Sequence, residues 1–211
     1  MLQAADITGL VLAGGQGSRM GGIDKGLQPF QGQALARQAW QRLAQQVGSI
    51  AINANRHLDT YRSWGAPVWS DAADQEAFAG PLAGFLSGLS HCVSDYLCTV
   101  ACDTPLFPQD LVARLANGLR EAQADIAMAA GPEGDGRVRN QPVFCLIKTE
   151  LRPALLEFMQ QGGRKIDAWT ASQRSTVVRF DQPGDDPRAF FNINTLQELE
   201  QLEALATSAK P

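Results

Sequence analysis

Six glycines and two cations crowd into the segment that follows the first apolar run of the chain. Leu12 to Gly26 reads LAGGQGSRMGGIDKG. Gly14, Gly15, Gly17, Gly21 and Gly22 allow close approach of backbone to a ligand and the positive φ values that other residues avoid. Successive backbone N–H groups in such a loop form a concavity suited to phosphate oxygens. Arg19 and Lys25 add fixed positive charge. The chemistry expected is therefore the grip of a polyphosphate. Two familiar phosphate-binding spacings do not fit. A P-loop sets its lysine between a glycine and a Ser or Thr, whereas Lys25 lies between Asp24 and Gly26. The dinucleotide fingerprint matches at Gly15 and Gly17, but Met20 stands where its third glycine belongs, which disfavours an NAD oxidoreductase.

Asp103, in TVACDTPLF, follows a second continuous apolar run. A carboxylate at that position can hold magnesium against phosphate oxygens, since hard cations take oxygen ligands and few protein groups. The structural alternative is a turn or helix-capping aspartate before Thr104-Pro105. Asn53 lies in SIAINAN and Asp71 closes PVWSD, each at the end of an expected strand. Either can read a base or ribose edge, or simply form a turn. An aspartate suits guanine, whose N1 and N2 hydrogens it can accept. Gly80-Pro81, in AGPLAG, opens a helix and permits close contact with a purine or ribose. Arg137, Asn140, Gln141, Arg164, Lys165, Asn192 and Asn194 are polar and loop-placed in the second half.

These residues need a scaffold that brings strand ends together. Continuous apolar runs predict buried strands at Ile7 to Leu12, Ser49 to Ala54, Tyr96 to Ala101, Asp125 to Ala130 and Pro142 to Ile147. Shorter strands are expected at Pro67 to Trp69 and Ser175 to Phe180. Helical spacing predicts helices over Ala34 to Val47, Leu58 to Trp64, Gly80 to His91, Gln109 to Glu121 and Glu150 to Met159, the last stopping at Gly162-Gly163. Gly131 to Asn140 reads as a polar loop. Thr195 and Glu198 form a capping box that starts a final helix. The alternation predicts an α/β fold, a three-layer αβα sandwich around a mainly parallel sheet. Ligands then sit beyond the carboxyl ends of the strands. The loops starting at Ala13, Asn53, Ser70 and Cys102 all leave such ends.

Composition narrows the partners. The chain has 211 residues, 45% of them apolar, which suits a single domain over 1–211. Its net charge of −4 shows no basic excess for wrapping nucleic acid. No apolar run is long enough to span a bilayer, and the first residues lack a signal-peptide pattern, so a cytoplasmic protein is expected. Cys92, Cys98, Cys102 and Cys145 form no C-x-x-C pair and read as buried small hydrophobes.

The pattern L-A-G-G-x-x-x-R-M-G-x-x-K resembles the signature loop of the nucleotidyltransferases that activate sugars, alditols and cofactors. The double glycine of MGGIDKG makes it more similar to the molybdenum cofactor guanylyltransferases, and the likeness runs roughly from Thr8 to Leu199. The resemblance implies a Rossmann-like, GT-A-like fold, with a GTP-binding half at about 7–104 and an acceptor-binding half at about 105–200. It implies transfer of GMP from GTP to the terminal phosphate of molybdopterin, with Mg2+ as cofactor and Arg19, Lys25 and Asp103 as catalytic residues. GTP would be met by Leu12, Ala13, Gly14, Gly15, Gly17, Lys25, Asn53, Asp71, Gly80 and Asp103, and the metal by Asp103. Gly22, Gln141, Arg164, Lys165, Asn192 and Asn194 would serve the acceptor. FFNINT resembles the family's F-x-N-x-N-T segment, with Leu196 where its proline usually stands. Transient contact with other cofactor-synthesis proteins or recipient molybdoenzymes also follows from the likeness. A CTP-dependent molybdopterin cytidylyltransferase or a sugar-phosphate nucleotidyltransferase would share the loop and Asp103, differing around Asn53, Asp71 and Gly80. A GTP-binding regulatory protein would bind nucleotide without releasing pyrophosphate.

Overall fold

A computed structural model describes residues 2–15, 23–71, 80–193, 195 and 197–200. In chain order its strands are β1 (Ile7–Leu12), β2 (Pro29–Phe30), β3 (Gln33–Ala34), β4 (Ser49–Asn53), β5 (Val68–Trp69), β6 (Tyr96–Ala101), β7 (Ile126–Pro132), β8 (Val138–Lys148) and β9 (Ser175–Arg179). The helices are α1 (Leu35–Ala44), α2 (Leu58–Arg62), α3 (Pro81–His91), α4 (Leu111–Glu121), α5 (Arg152–Gln160) and α6 (Ile166–Ala171).

Seven strands form one sheet in the order β5-β4-β1-β6-β8-β7-β9. Only β8 runs against the others. Strand β1 is central and buried along nearly its whole length. Its Ile7 and Val11 enter one half of the core and its Leu10 the other. Two-sided burial of this kind requires helices on both faces. Ala36, Ala39 and Leu43 of α1 and Leu111, Leu115 and Leu119 of α4 cover the first face. Leu82, Phe85, Leu86 and Leu89 of α3, Leu155 and Met159 of α5, and Trp169 of α6 cover the second. The expected three-layer α/β architecture is thus present. Gly9 sets how closely α1 can lie, since a Cβ there would come within 2.7 Å of Leu43 Cδ2.

The connection from β1 leads outward to β4, while that from β6 leads the other way, to β7. The crevice between β1 and β6 is therefore the topological switch point, where ligands of open α/β sheets bind.

The structure departs from the sequence-based expectation in the second half. Residues 131–140 are not a loop. Gly131 and Pro132 pair with Arg139 and Val138, and Ala130 with Asn140, as the outer part of the β7–β8 hairpin. Its turn closes where Gly136 N–H donates to the Glu133 carbonyl at 2.8 Å. The hairpin reads as loop because it extends beyond the register of β6, which ends its pairing with β8 at Thr99 opposite Cys145. Its side chains are then solvated and polar on both faces, so Arg139 bonds to Glu133 and Asp135 instead of entering the core. Helix α6 and the small β2–β3 hairpin were not foreseen. The hairpin turns on Gln31 and Gly32, with φ of 50° and 78°, the two positive values a type I′ turn needs. The foreseen capping box is formed: Glu198 N–H donates to Thr195 Oγ1 at 3.1 Å and Thr195 N–H to Glu198 Oε2 at 3.0 Å. Residues 197–200 are helical. Among the described residues no helix is long and apolar enough to cross a membrane.

At the amino edge, buried Asp125 accepts from Arg174 Nε at 2.7 Å, Arg174 Nη2 at 2.9 Å and Lys148 Nζ at 2.7 Å. Those bonds, from Arg174 first and Lys148 second, hold its carboxyl below the ordinary 3.8. The resulting stabilisation is complete above pH 3.8 and is lost as pH falls through the lower folded value. Asp125→Asn is expected to lower the Tm by a few degrees at neutral pH. The deficit should close in acid. Calorimetry across pH checks this, and a deficit that persists unchanged in acid would refute it.

Candidate active site

Register places three strand ends side by side. Leu12 faces Asn53 on one side and Ala101 on the other, and Asn53 faces Trp69. The ladder continues one residue further, with Ala13 N–H on the Asn53 carbonyl at 2.8 Å and Cys102 N–H on the Leu12 carbonyl at 3.2 Å. The glycine loop, the Asn53 loop and the Asp103 loop consequently start from one level of one edge.

Asp103 and Lys25 meet there. Lys25 Nζ lies 3.3 Å from Asp103 Oδ2, with side chains 19% and 16% exposed. Burial raises the Asp103 carboxyl above its ordinary 3.8, and Lys25 and Thr104 pull it only partly back. A carboxylate in this state is under-compensated, so a further cation beside it is favoured. Lys25 belongs to a single 3₁₀ turn, Lys25–Leu27, capped by Asp24. Asp24 Oδ1 accepts from Gly26 N–H at 3.0 Å and from the Tyr61 hydroxyl at 2.9 Å. Only glycine fits at 26, because a Cβ would stand 2.5 Å from that hydroxyl. The wholly buried Tyr61 of α2 thereby fixes the turn that carries Lys25. Cys102, next to Asp103, is no nucleophile: burial, then Asp103, then Asp24 push its thiol far up.

Asn53 and Asp71 form a second cluster. Asn53 is 2% exposed, and its Nδ2 donates to the Trp69 carbonyl and to Asp71 Oδ1, both at 2.9 Å. Asn53 Oδ1 is wedged between two backbones. A Cβ on Gly14 would lie 3.0 Å from it, and one on Gly84 would lie 2.7 Å away. Asn55 Nδ2 donates to Asp71 Oδ2 at 2.7 Å. Arg56 Nη2 donates to the Gly15 carbonyl at 3.0 Å, tying this loop to the glycine segment. Gly80 caps α3 with φ of 134°, a value that favours glycine, ahead of Pro81 in the first turn.

Among the residues expected to serve the acceptor, Asn192 lies next to Ile193, whose N–H donates to the Asp103 carbonyl at 2.9 Å, so this segment docks against the Asp103 loop. Gln141 and Arg164 make contacts within their own elements. Gln141 bonds to Glu133 across the hairpin at 3.3 Å. Arg164 Nη1 donates to the Met159 and Gly163 carbonyls at 2.9 and 2.8 Å, capping the end of α5. Lys165 precedes α6 and is exposed. Gly17, Arg19, Met20, Gly22 and Asn194 lie outside the described residues. Among the described residues no three His, Cys, Asp or Glu side chains gather as a metal cage, and all four cysteines are free thiols.

Sequence reasoning missed Asn55, Arg56, Asp24, Tyr61 and Gly84. The N-A-N alternation of Asn53 and Asn55 was a usable signal, since strand residues two apart share a face. Tyr61 gave none, because its partner Asp24 is 37 residues away.

Residues 9–183 match the family model of the MobA-like NTP transferase domain. A molybdenum cofactor guanylyltransferase of Acidovorax ebreus is 58% identical over 210 residues, covering 97% of this chain and 99% of that protein. One of Bordetella petrii is 57% identical over 202 residues, covering 96% of this chain and 100% of that protein. In fold, the chain resembles the molybdopterin-guanine dinucleotide biosynthesis protein A of Archaeoglobus fulgidus, with a TM-score of 0.74 at 19% identity, over 95% of this chain and 99% of that one.

The raised Asp103 pKa has a thermodynamic consequence. Ionised Asp103 costs stability at all pH values above its folded pKa, and the cost vanishes below 3.8. Asp103→Asn, which can still accept from Lys25, is expected to raise the Tm by a few degrees at neutral pH. The gain should shrink as pH falls and disappear in acid. Calorimetric Tm against pH tests it, and a destabilised variant at neutral pH would contradict the assignment of cost to Asp103.

Proposed function

The chain belongs to the MobA-like NTP transferase family and, within it, to the molybdenum cofactor guanylyltransferases, and from that membership we propose that it transfers GMP from GTP to the terminal phosphate of molybdopterin. It is a nucleotidyltransferase. The observation that carries the residue assignment is the Lys25–Asp103 pair at the switch point, beside the start of the glycine loop.

The acceptor phosphate oxygen attacks the α-phosphorus of GTP. A new P–O bond forms there, the bond to the β-phosphate bridge breaks, and pyrophosphate leaves with its electron pair. The nucleophile is already anionic near neutral pH, so no side chain need remove a proton. Catalysis is positioning and charge neutralisation. Backbone N–H groups from Gly14 and Gly15 to Gly17 hold the phosphates, helped by the Lys25 ammonium, while Leu12 and Ala13, whose backbones belong to the sheet ladder, line the nucleotide at the strand end. Arg19 meets the charge that develops on the departing pyrophosphate.

Asp103 fits a magnesium ion, because it is a single, poorly compensated carboxylate at the ligand edge and magnesium takes one or two carboxylates plus substrate phosphates. When bound, the ion neutralises phosphate charge. Asp71 reads the guanine edge, and Asn53 braces it from beneath. Gly80 admits the nucleoside beside α3. Gly22, Gln141, Arg164, Lys165, Asn192 and Asn194 are assigned to the acceptor. For Arg164, the capping bonds to α5 hold the guanidinium at the helix end.

The test is incubation with GTP, magnesium and molybdopterin, with detection of the dinucleotide and of pyrophosphate. Lys25→Ala and Asp103→Ala are each expected to lose about 10²–10³-fold in kcat, the usual cost of removing a charge-stabilising group. Near-wild-type turnover in either variant would remove that residue from the mechanism. Product from CTP at a rate matching GTP would overturn the nucleotide assignment.

A further inference from the structure

Asn55 commits both ends of its carboxamide to Asp71. Nδ2 donates to Asp71 Oδ2 at 2.7 Å, and Oδ1 accepts from the Asp71 backbone N–H at 2.9 Å. The amide orientation follows from chemistry, because a carboxylate only accepts and an N–H only donates. Asn53 holds the other oxygen, Oδ1, at 2.9 Å. Each carboxylate oxygen thus receives one side-chain N–H and keeps lone-pair capacity for a second. The carboxylate plane is fixed at two points, not one.

Guanine offers N1–H and the 2-amino group as two parallel donors, a spacing that a carboxylate meets with both oxygens at once. A carboxylate anchored only at Oδ1 would keep one oxygen in place and let the other swing. Asn55 is also set by the phosphate loop. A Cβ on Gly14 would lie 3.0 Å from its Nδ2, so the same glycine that leads into the phosphate cradle admits this side chain.

We propose that Asn55 is the positioning residue for guanine selectivity, locking Asp71 so that both of its oxygens face the base. This rests on the reading of Asp71 as the base reader, and the experiment separates the two. Inosine triphosphate keeps N1–H and lacks the 2-amino group, so the ratio of GTP to inosine triphosphate reports the 2-amino contact alone. kcat/KM is measured for GTP and inosine triphosphate in wild type, Asn55→Ala, Asn55→Ser and Asp71→Ala, with Tm as a check on folding. In Asn55→Ala the GTP value is expected to fall about tenfold or more, the scale of one hydrogen bond to a charged group. The inosine triphosphate value should fall by at most about threefold, so that the preference between them collapses. Asn55→Ser, which cannot span both contacts, should behave alike.

An equal fall for both nucleotides in the Asn55 variants, with the preference lost in Asp71→Ala, would overturn the Asn55 role and leave Asp71 as the reader. An unchanged preference in Asp71→Ala would overturn the Asp71 reading and the Asn55 role with it.

Discussion

Everything at the site depends on parallel pairing in one register. β1 lies between β4 and β6, and all three point the same way. Leu12 therefore ends opposite Asn53 and Ala101, and three loops from distant parts of the chain emerge together. A shift of one residue in either pairing would turn the side chains at that level to the opposite face of the sheet. Gly9 opposes such a shift, because any residue with a Cβ brought to its place under α1 would come within 2.7 Å of Leu43 Cδ2. The core is thus what sets the geometry of the polar edge.

Three carboxylates at that edge are handled in three ways, and the differences sort their chemistry. Asp24 is buried and receives a backbone N–H and a phenol, so it shapes the turn below Lys25. Asp71 receives two carboxamides, neutral donors that orient it and leave its charge and lone pairs available. Asp103 pairs with an ammonium and is still pushed above its ordinary pKa by burial. Burial leaves Asp103 under-compensated despite Lys25, a state that a further cation beside it would relieve.

Glycine contributes by permitting contact as much as by bending. Gly14 and Gly84 clasp the Asn53 side-chain oxygen Oδ1, and Gly26 leaves room for the Tyr61 hydroxyl. In each case a polar side chain of one element reaches the backbone of another. Interlocking of this sort ties the start of the glycine loop, the Asn53 loop and the Lys25 turn together.

Much of this was legible from residue types alone. Continuous apolar runs marked β1, β4 and β6 because strands buried on both faces need no polar alternation. The glycine segment, Lys25 and Asp103 stood out by type and by their place after such runs. Thr195 and Glu198 were readable because a capping box is local. What the sequence could not supply were contacts whose partners are far apart in the chain. Tyr61 on Asp24, Arg56 on Gly15 and the two asparagines on Asp71 exist only once the register is set. The outer β7–β8 hairpin was hidden for a related reason: it pairs beyond the end of β6, so its strands carry loop-like polar residues. Local pattern fixes which segments are strands and which loops hold the chemistry, because both depend on neighbours a few residues away. Tertiary packing decided which side chains aim, brace or cap, because those roles belong to pairs that only the folded sheet brings within hydrogen-bonding distance.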